Sequence, residues 1–202
     1  MAPKIVDKEM KRLEIAAAAG MLFGKYGFDK VKVDDVAAAA GIGKGTVYEY
    51  FKNKDELIHG AFQVLMNHMA EALQHSVDLS LTPLAALKKL SLSMADAMDH
   101  FGEQYGFFLE YMLLMNRGQT DSEILQGMFT EYRRLVAGLI EAAIDARQVR
   151  ADVNPAHVAA VYLAWFDGAI FHWMLLPNPN LQQMVLAFWD AFEQGIIQRE
   201  ES

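Results

Sequence analysis

The segment Val33 to Phe51, VDDVAAAAGIGKGTVYEYF, constrains the fold more than any other stretch of the chain. Val33, Val36, Ala37 and Ala40 recur at the spacing that puts them on one face of a helix. Ala37 is small, so a second helix can cross it closely. Gly41 is free to adopt the left-handed backbone that ends a helix and turns the chain sharply. Beyond the turn, Val47 and Phe51 face back toward the same small core. Two short helices joined at a steep angle by a tight glycine turn make a helix-turn-helix. With Val47 inward and about 100° of rotation per residue, Gly45, Glu49 and Lys52 point outward, flanked by Thr46 and Tyr48.

That outward face suits a nucleic acid. Gly45 has no side chain, so the backbone can approach a groove. Thr46, Tyr48 and Tyr50 offer hydroxyls to phosphate oxygens, and Lys44, Lys52 and Lys54 offer charge. The start of the second helix, near Lys44, adds a favourable dipole. GIGKGT does not make a phosphate loop. That loop needs GxxxxGK[ST] after a strand, whereas position 38 is Ala, Gly45 follows Lys44, and the preceding segment is helical.

The net charge of −8 is unevenly spread. Residues 1–54 hold ten Lys/Arg against seven Asp/Glu, and residues 55–202 hold eight against nineteen. A basic head on an acidic body fits a polyanion-binding end carried by a part that repels polyanions. With 202 residues, 53% of them hydrophobic, the chain can bury a sizeable core. It has no cysteine, which excludes disulfides and thiolate metal sites and fits a cytoplasmic location. The start, MAPKIVDKEMKR, lacks the apolar stretch of a secretory signal. No unbroken apolar run reaches the roughly 18–20 residues that cross a bilayer.

The remainder reads as all-α, with about nine helices in total. The first spans Asp7 to Tyr26, with Ile15, Ala19, Leu22 and Tyr26 along one stripe and Gly27 at its end. A long helix starts after Asn53, where Glu56 three residues on resembles a capping box. Thr82-Pro83 and Asn154-Pro155 are helix starts. Breaks are expected near Gly102, at Gly118 to Asp121, at Gln148 to Asn154 and at Pro177-Asn178-Pro179-Asn180. His59, His68 and His75 lack the i, i+4 spacing of a helical metal pair, and His100, His157 and His172 are isolated. No metal site, cofactor or nucleophile–base pair is expected, and the chain does not read as an enzyme.

The stretch GFDKVKVDDVAAAAGIGKGTVYEYFKNKDEL resembles the DNA-binding domain of the tetracycline-repressor (TetR-like) family. The matching positions are Phe23, Gly27-Phe28, Val36-Ala37, Ala40-Gly41, Gly45-Thr46-Val47-Tyr48, Tyr50-Phe51, Lys54 and Leu57. The resemblance implies a DNA-binding domain over residues 1–53 and a ligand-binding and dimerisation domain over 54–202. It implies a homodimer on a double-stranded operator with partial two-fold symmetry, a repressor released by a small apolar or amphipathic effector. Carried over, Thr46, Tyr48, Tyr50 and Lys54 contact phosphates, and Gly43, Lys44 and Gly45 lie nearest the base edges. The chain departs from the pattern at Val31 and Lys32, where Thr or Ser is common. Lys32 cannot accept the backbone N–H bonds of a cap but can reach a phosphate by charge. Gly43 replaces a frequent Ser and caps less well. Glu49 either accepts from cytosine N4 or is a solvated rim residue.

Two nearly all-round apolar helices close the chain, as at a dimer interface or inside a large core. The expected interface residues are Phe166, Ile170 and Trp173 on the first and Val185, Phe188, Trp189 and Phe192 on the second. The expected effector site draws on Phe62, Met66, Met69, Phe108, Tyr111, Met112, Met115, Phe129, Tyr132 and Trp165, adaptable groups suited to an apolar pocket. Glu110 and Asp167 are acids set within apolar runs; each either faces water or meets a cationic ligand. Two other readings remain at this stage: a helical enzyme or carrier with a vestigial head, and a repressor governed by a protein partner without a pocket.

Overall fold

The computed structural model describes residues 7–120, 122–176 and 180–196, the side chains of 99–104 excepted. Eight helices lie among these residues: α1 (Lys8–Tyr26), α2 (Val33–Ala39), α3 (Lys44–Tyr50), α4 (Lys54–Ser76), α5 (Pro83–Asn116), α6 (Glu123–Asp145), α7 (Pro155–Leu175) and α8 (Leu181–Ile196). Side-chain caps set several of the starts. The Asp7 carboxylate accepts from the N–H groups of Glu9 and Met10, at 3.0 and 3.3 Å. Asn53 accepts from Glu56 N at 2.8 Å, Asn154 from His157 N at 3.1 Å and Asn180 from Gln183 N at 2.9 Å. Glu56 reaches back past Asn53 to accept from Lys52 N at 2.8 Å.

The expected break near Gly102 does not occur. α5 runs unbroken for 34 residues, about 50 Å at 1.5 Å per residue. A single glycine costs a helix only about 1 kcal/mol relative to alanine, and no proline follows to enforce a stop. The break expected from Gly118 is present among the described residues, and so is that at 148–154. Pro177, Asn178 and Pro179 lie outside the described residues, as does the segment before Asp7.

The chain forms two compact units. One comprises the described residues within Met1–Ala70 and Phe101–Leu125, the other those within Glu71–His100 and Gln126–Ser202. The first holds α1, α2, α3, most of α4 and the second part of α5. Ile15, Ala19 and Phe23 of α1, Val36 and Ala37 of α2, Val47 of α3, Phe51, and Leu57 and Phe62 of α4 are all buried in it. Phe28 stands edge-on to Phe23 and to Phe107, with ring centroids 5.4 Å apart in each case. Phe62 stacks flat on Tyr111 at 3.6 Å. Tyr26 does not continue the α1 stripe; it is 50% exposed, and Phe23 takes the inward position. A Cβ on Gly60 would come within 2.7 Å of the Phe51 ring, so α4 can pass this core ring only without a side chain there.

In the second unit the core contains a polar knot. Ser91 is the one buried polar residue among the described positions. Its Oγ donates to the Leu87 carbonyl at 2.9 Å, accepts from Trp189 Nε1 at 2.9 Å and pairs with the Tyr162 hydroxyl at 2.5 Å. The Tyr132 hydroxyl donates to Met94 Sδ at 2.5 Å. Burial pushes the Tyr162 phenol up to about 12 and raises that of Tyr132 as well.

α7 corrects the reading of apolar runs. Its 21 residues reach a mean hydropathy of 1.4 over an 18-residue window, long and apolar enough by length and composition to cross a bilayer. Asp167 and two histidines break the strict run, and averaging over the window outweighs them. Only 33% of the window is buried within the chain.

Ser91→Val should leave the Trp189 N–H and the Tyr162 hydroxyl without their shared partner. The expected cost is about 2 kcal/mol, read as a fall in Tm of roughly 4–8 °C by calorimetry. An unchanged Tm would show that the knot contributes nothing to stability.

Candidate nucleic-acid interface

The turn between α2 and α3 follows from the sequence. Gly41 sits at φ 66°. Ile42 N donates to the Ala37 carbonyl at 3.0 Å, and Gly41 N to the Ala38 carbonyl at 3.2 Å, so the end of α2 is satisfied within the turn. Val47 and Phe51 are each 1% exposed. With that side fixed inward, Gly45, Glu49 and Lys52 are exposed, Tyr48 is 46% exposed, and Thr46 and Tyr50 are half-buried. A Cβ on Gly43 or Gly45 would meet nothing within 4 Å, so open space fronts the first turn of α3.

The starts of α2 and α3 carry the departures seen in the sequence. Neither Lys32 nor Gly43 supplies a side-chain cap. Asp35 compensates on α2, its carboxylate accepting from Lys32 N at 2.8 Å. This is one half of a capping box; an ammonium has no lone pair to supply the other half. The Lys32 side chain is exposed. Lys44 does not stand alone: its Nζ lies 2.8 Å from Asp34, whose hydrogen bond and charge raise the lysine above its ordinary value.

Lys54 also departs from expectation. Its Nζ donates to the carbonyl of Phe28 in a short bond, and the residue is half-buried. A phosphate contact by Lys54 therefore requires that bond to be exchanged. On the other side of the same residue, the Glu110 carboxylate of α5 accepts from Phe28 N at 2.7 Å. The adjoining Gly27 is at φ 82°, and a Cβ there would lie 2.9 Å from Glu110 Oε1. So the α1–α2 turn is held on one side by α4 and on the other by α5. Arg12 adds a third tie, 3.3 Å from Glu56 with its guanidinium 4.5 Å over the Phe51 ring.

The residues expected to bind a ligand divide between the two units. Phe62, Met66, Met69, Phe108, Tyr111, Met112 and Met115 belong to the first, and Phe129, Tyr132 and Trp165 to the second. Phe62, Phe108 and Tyr111 are brought together, with Phe108 stacked 6.1 Å from Phe62. Met66 is buried, Met69 and Met115 are half-buried, and Met112 faces outward at 39% exposure. Tyr132 is buried, Phe129 half-buried, and Trp165 stacks on Phe188 at 3.7 Å. Two cavities lie in the first unit. One of about 150 Å³ is lined by α1, α4 and Phe107. The other, about 350 Å³, is lined by Asp55, Ile58, Tyr111, Leu114, Gln119 and Thr120. Of the expected residues only Tyr111 lines either. Sequence reading missed the rest because they join the first turn of α4 to the end of α5, across more than fifty residues.

The expected interface residues need a correction. Phe166, Ile170, Val185 and Trp189 are buried within the chain's own core, so they cannot meet a partner directly. Trp173, Phe188 and Phe192 are half-buried. Helical periodicity shows that α7 is apolar all round, but not which side the chain itself covers. The uncovered side of α7 carries His157, Val161, Ala164, Gly168, Phe171 and Leu175, all exposed, at alternating spacings of four and three. Asp167 borders that stripe, and partial burial of its carboxyl pushes it up to about 6. Among the described residues no group of three or more His, Cys, Asp or Glu could hold a metal ion.

The buried turn, the open face of α3 and the basic rim define a helix-turn-helix DNA-binding protein. Residues 15–61 match the family described as bacterial regulatory proteins, tetR family. The HTH-type transcriptional repressor KstR2 of Rhodococcus jostii is 29% identical over 151 residues, covering 73% of this chain and 72% of that protein. The HTH-type transcriptional regulator TtgR of Pseudomonas putida is 25% identical over 183 residues, covering 85% and 84%. The structure of a TetR transcription regulator from Haloarcula marismortui superposes with a TM-score of 0.82 at 18% identity, covering 94% of this chain and all of that one. Residues 15–61 thus carry a DNA-binding domain of the tetR family, and over most of its length the chain is similar to transcriptional regulators.

Two substitutions test the geometry around this face. Asp34→Asn releases Lys44 and removes a negative charge beside the α3 surface, so DNA binding at low salt should tighten, roughly two- to fivefold. Weaker or unchanged binding would remove Lys44 from the contact surface. Glu110→Ala leaves the Phe28 N–H without its acceptor, at a cost of about 1–2 kcal/mol. Amide exchange at Phe28 should quicken in Glu110→Ala and stay slow in Glu110→Gln, which keeps an acceptor in place.

Proposed function

We propose that this chain is a cytoplasmic, homodimeric transcriptional repressor whose heads, residues 1–53, grip an operator with partial two-fold symmetry. Residues 54–202 hold the dimer together and bind a small-molecule effector that releases the DNA. The observation that carries the reading is the α3 face: Gly45, Tyr48, Glu49 and Lys52 stand open to solvent because Val47 and Phe51 are locked inward. Thr46, Tyr48, Tyr50 and Lys32 are the proposed phosphate contacts, with Lys44 and Lys54 joining once they leave Asp34 and the Phe28 carbonyl. Gly43, Lys44 and Gly45 approach the base edges. Selecting bound fragments from random DNA tests this directly. A recovered half-site repeated with two-fold symmetry supports it, and recovery of no preferred sequence defeats it. Binding to the selected site should weaken with salt, with each neutralised phosphate contributing about −0.9 to the slope of log K against log salt. Tyr48→Ala should weaken binding to all sequences alike, since phosphate contacts position the head without reading sequence.

The dimer reading rests on α7. Five of the six residues in its exposed stripe are apolar or glycine, and Ala164 and Gly168 at its middle let a second helix approach closely. A two-fold axis would set this face against its own copy. On α8, Leu186, Ala187 and Ala191 are exposed and extend the same kind of surface. Because Trp189 is buried in the chain's core, a charge there would test folding and not association. Phe171, 50% exposed, is the better probe. Phe171→Glu places an unpaired charge in the proposed interface, at a cost of about 3 kcal/mol or more. Sedimentation should show a folded monomer with weakened operator binding. A Phe171→Glu dimer as tight as the wild type would reject this face.

A further inference from the structure

We infer that the cavity between the first turn of α4 and the end of α5 is a binding site for a small aromatic amine. The site names the effector class for the regulator reading above and rests on that reading for its consequence, though not for its chemistry. Its volume of about 350 Å³ is more than twice that of a cavity of roughly 150 Å³ that holds benzene. A six-membered ring with a two-carbon arm therefore fits. Ile58 and Leu114 supply apolar walls. At the inner end lies Tyr111, 1% exposed. Its hydroxyl is 2.7 Å from His59 Nδ1 and 3.1 Å from Thr120 Oγ1. At the mouth stand Asp55 and Gln119, both exposed. Neither side chain has a hydrogen-bonding or ionic partner among the described residues.

Charge selects the ligand. Among the described residues, Asp55 is the only charged one lining the cavity. Lys54, next to Asp55 in sequence, is engaged with the Phe28 carbonyl, and Arg12 with Glu56. The described lining therefore presents one carboxylate without an ion-pair partner at the opening, apolar flanks behind it, and hydroxyl groups at the far end. A protonated amine at Asp55, a ring between Ile58 and Leu114, and a phenolic hydroxyl meeting Thr120 and Tyr111 satisfy all three. Tyr111 is the next residue after Glu110, which holds Phe28 N. A ligand that takes over the Thr120 partner of Tyr111 acts one residue from the grip on the head. Ile58 and Asp55 belong to the same helix as Lys54, the other half of that grip.

Tyramine, titrated against the full-length protein, is the probe, followed by the methyl resonances of Ile58, Leu114 and Thr120. Tyrosol, with a hydroxyl in place of the amine, is its uncharged counterpart. Tyramine should saturate with Kd below about 1 mM. Asp55→Asn should weaken tyramine by about tenfold or more and leave tyrosol unchanged. Thr120→Val should weaken both. No saturable shift, equal affinity for tyramine and tyrosol, or indifference to Asp55→Asn would each overturn the site. With the selected operator bound, tyramine should lower DNA affinity in the wild type and not in Asp55→Asn. Tyramine binding with unchanged DNA affinity would overturn the site as effector site. Failure to select any DNA would defeat the regulator reading, while the tyramine titration would still decide the cavity.

Discussion

The backbone of Phe28 is the point on which the first unit turns. Its N–H is held by Glu110 of α5 and its carbonyl by Lys54 of α4. Its ring meets Phe23 of α1 and Phe107 of α5. A partly buried residue whose N–H and carbonyl are both claimed by charged side chains is well satisfied, because charge-assisted bonds are roughly twice as strong as neutral ones. The position of α2, and through Gly41 that of α3, is set from this turn. The face offered to DNA is thus fixed in part by Glu110, which lies far from it on α5, and by Lys54 at the start of α4. Gly27 admits the arrangement, since any side chain there would meet the Glu110 carboxylate as well as strain the backbone.

The head was legible in the sequence because its logic is local. Gly41, Val47 and Phe51 lie within one short stretch, and their spacing alone predicts which side of α3 is buried. Helix starts were legible for the same reason: Asp7, Asn53 and Asn154 cap helices a few residues ahead of them. The long contacts were not legible. Glu110 is 82 positions from Phe28, and Ser91 is 98 from Trp189. An acid in an apolar run signalled that Glu110 was unusual, but no pattern says what it meets. The unbroken α5 shows the limit of local signals in the other direction, since a glycine that weakens a helix does not end one that packing supports.

Composition also misled where a chain leaves one side of an apolar helix uncovered. α7 and α8 are apolar on more sides than a single chain covers, so periodicity cannot assign Phe166 to the core or Phe171 to the surface. The distinction appears only when the chain's own packing is in place. Phe166 then falls at 1% exposure and Phe171 at 50%. The bulky aromatic residues form the core of the second unit, while small residues, Ala164 and Gly168, occupy the middle of the exposed stripe. This division is sensible for close helix pairing, because knobs of moderate size fit a symmetric seam better than large rings do.

Lys54 joins the two halves of the proposed mechanism. In the free protein it completes the grip on Phe28; as a phosphate ligand it must let go. Operator binding and loosening of the grip are then one linked equilibrium. Whatever strengthens the grip must weaken DNA binding by the same free energy, and the reverse also holds. The size of the effect is bounded by the bond exchanged. A hydrogen bond from a charged donor contributes about 1.5–3 kcal/mol net, which corresponds to roughly 10- to 150-fold in affinity. That range suffices for regulation without any large movement of α3 relative to α2. On the proposed reading, the switch lies in the choice of partner made by one ammonium group. The helix that carries this group also lines the cavity beneath it through Asp55 and Ile58.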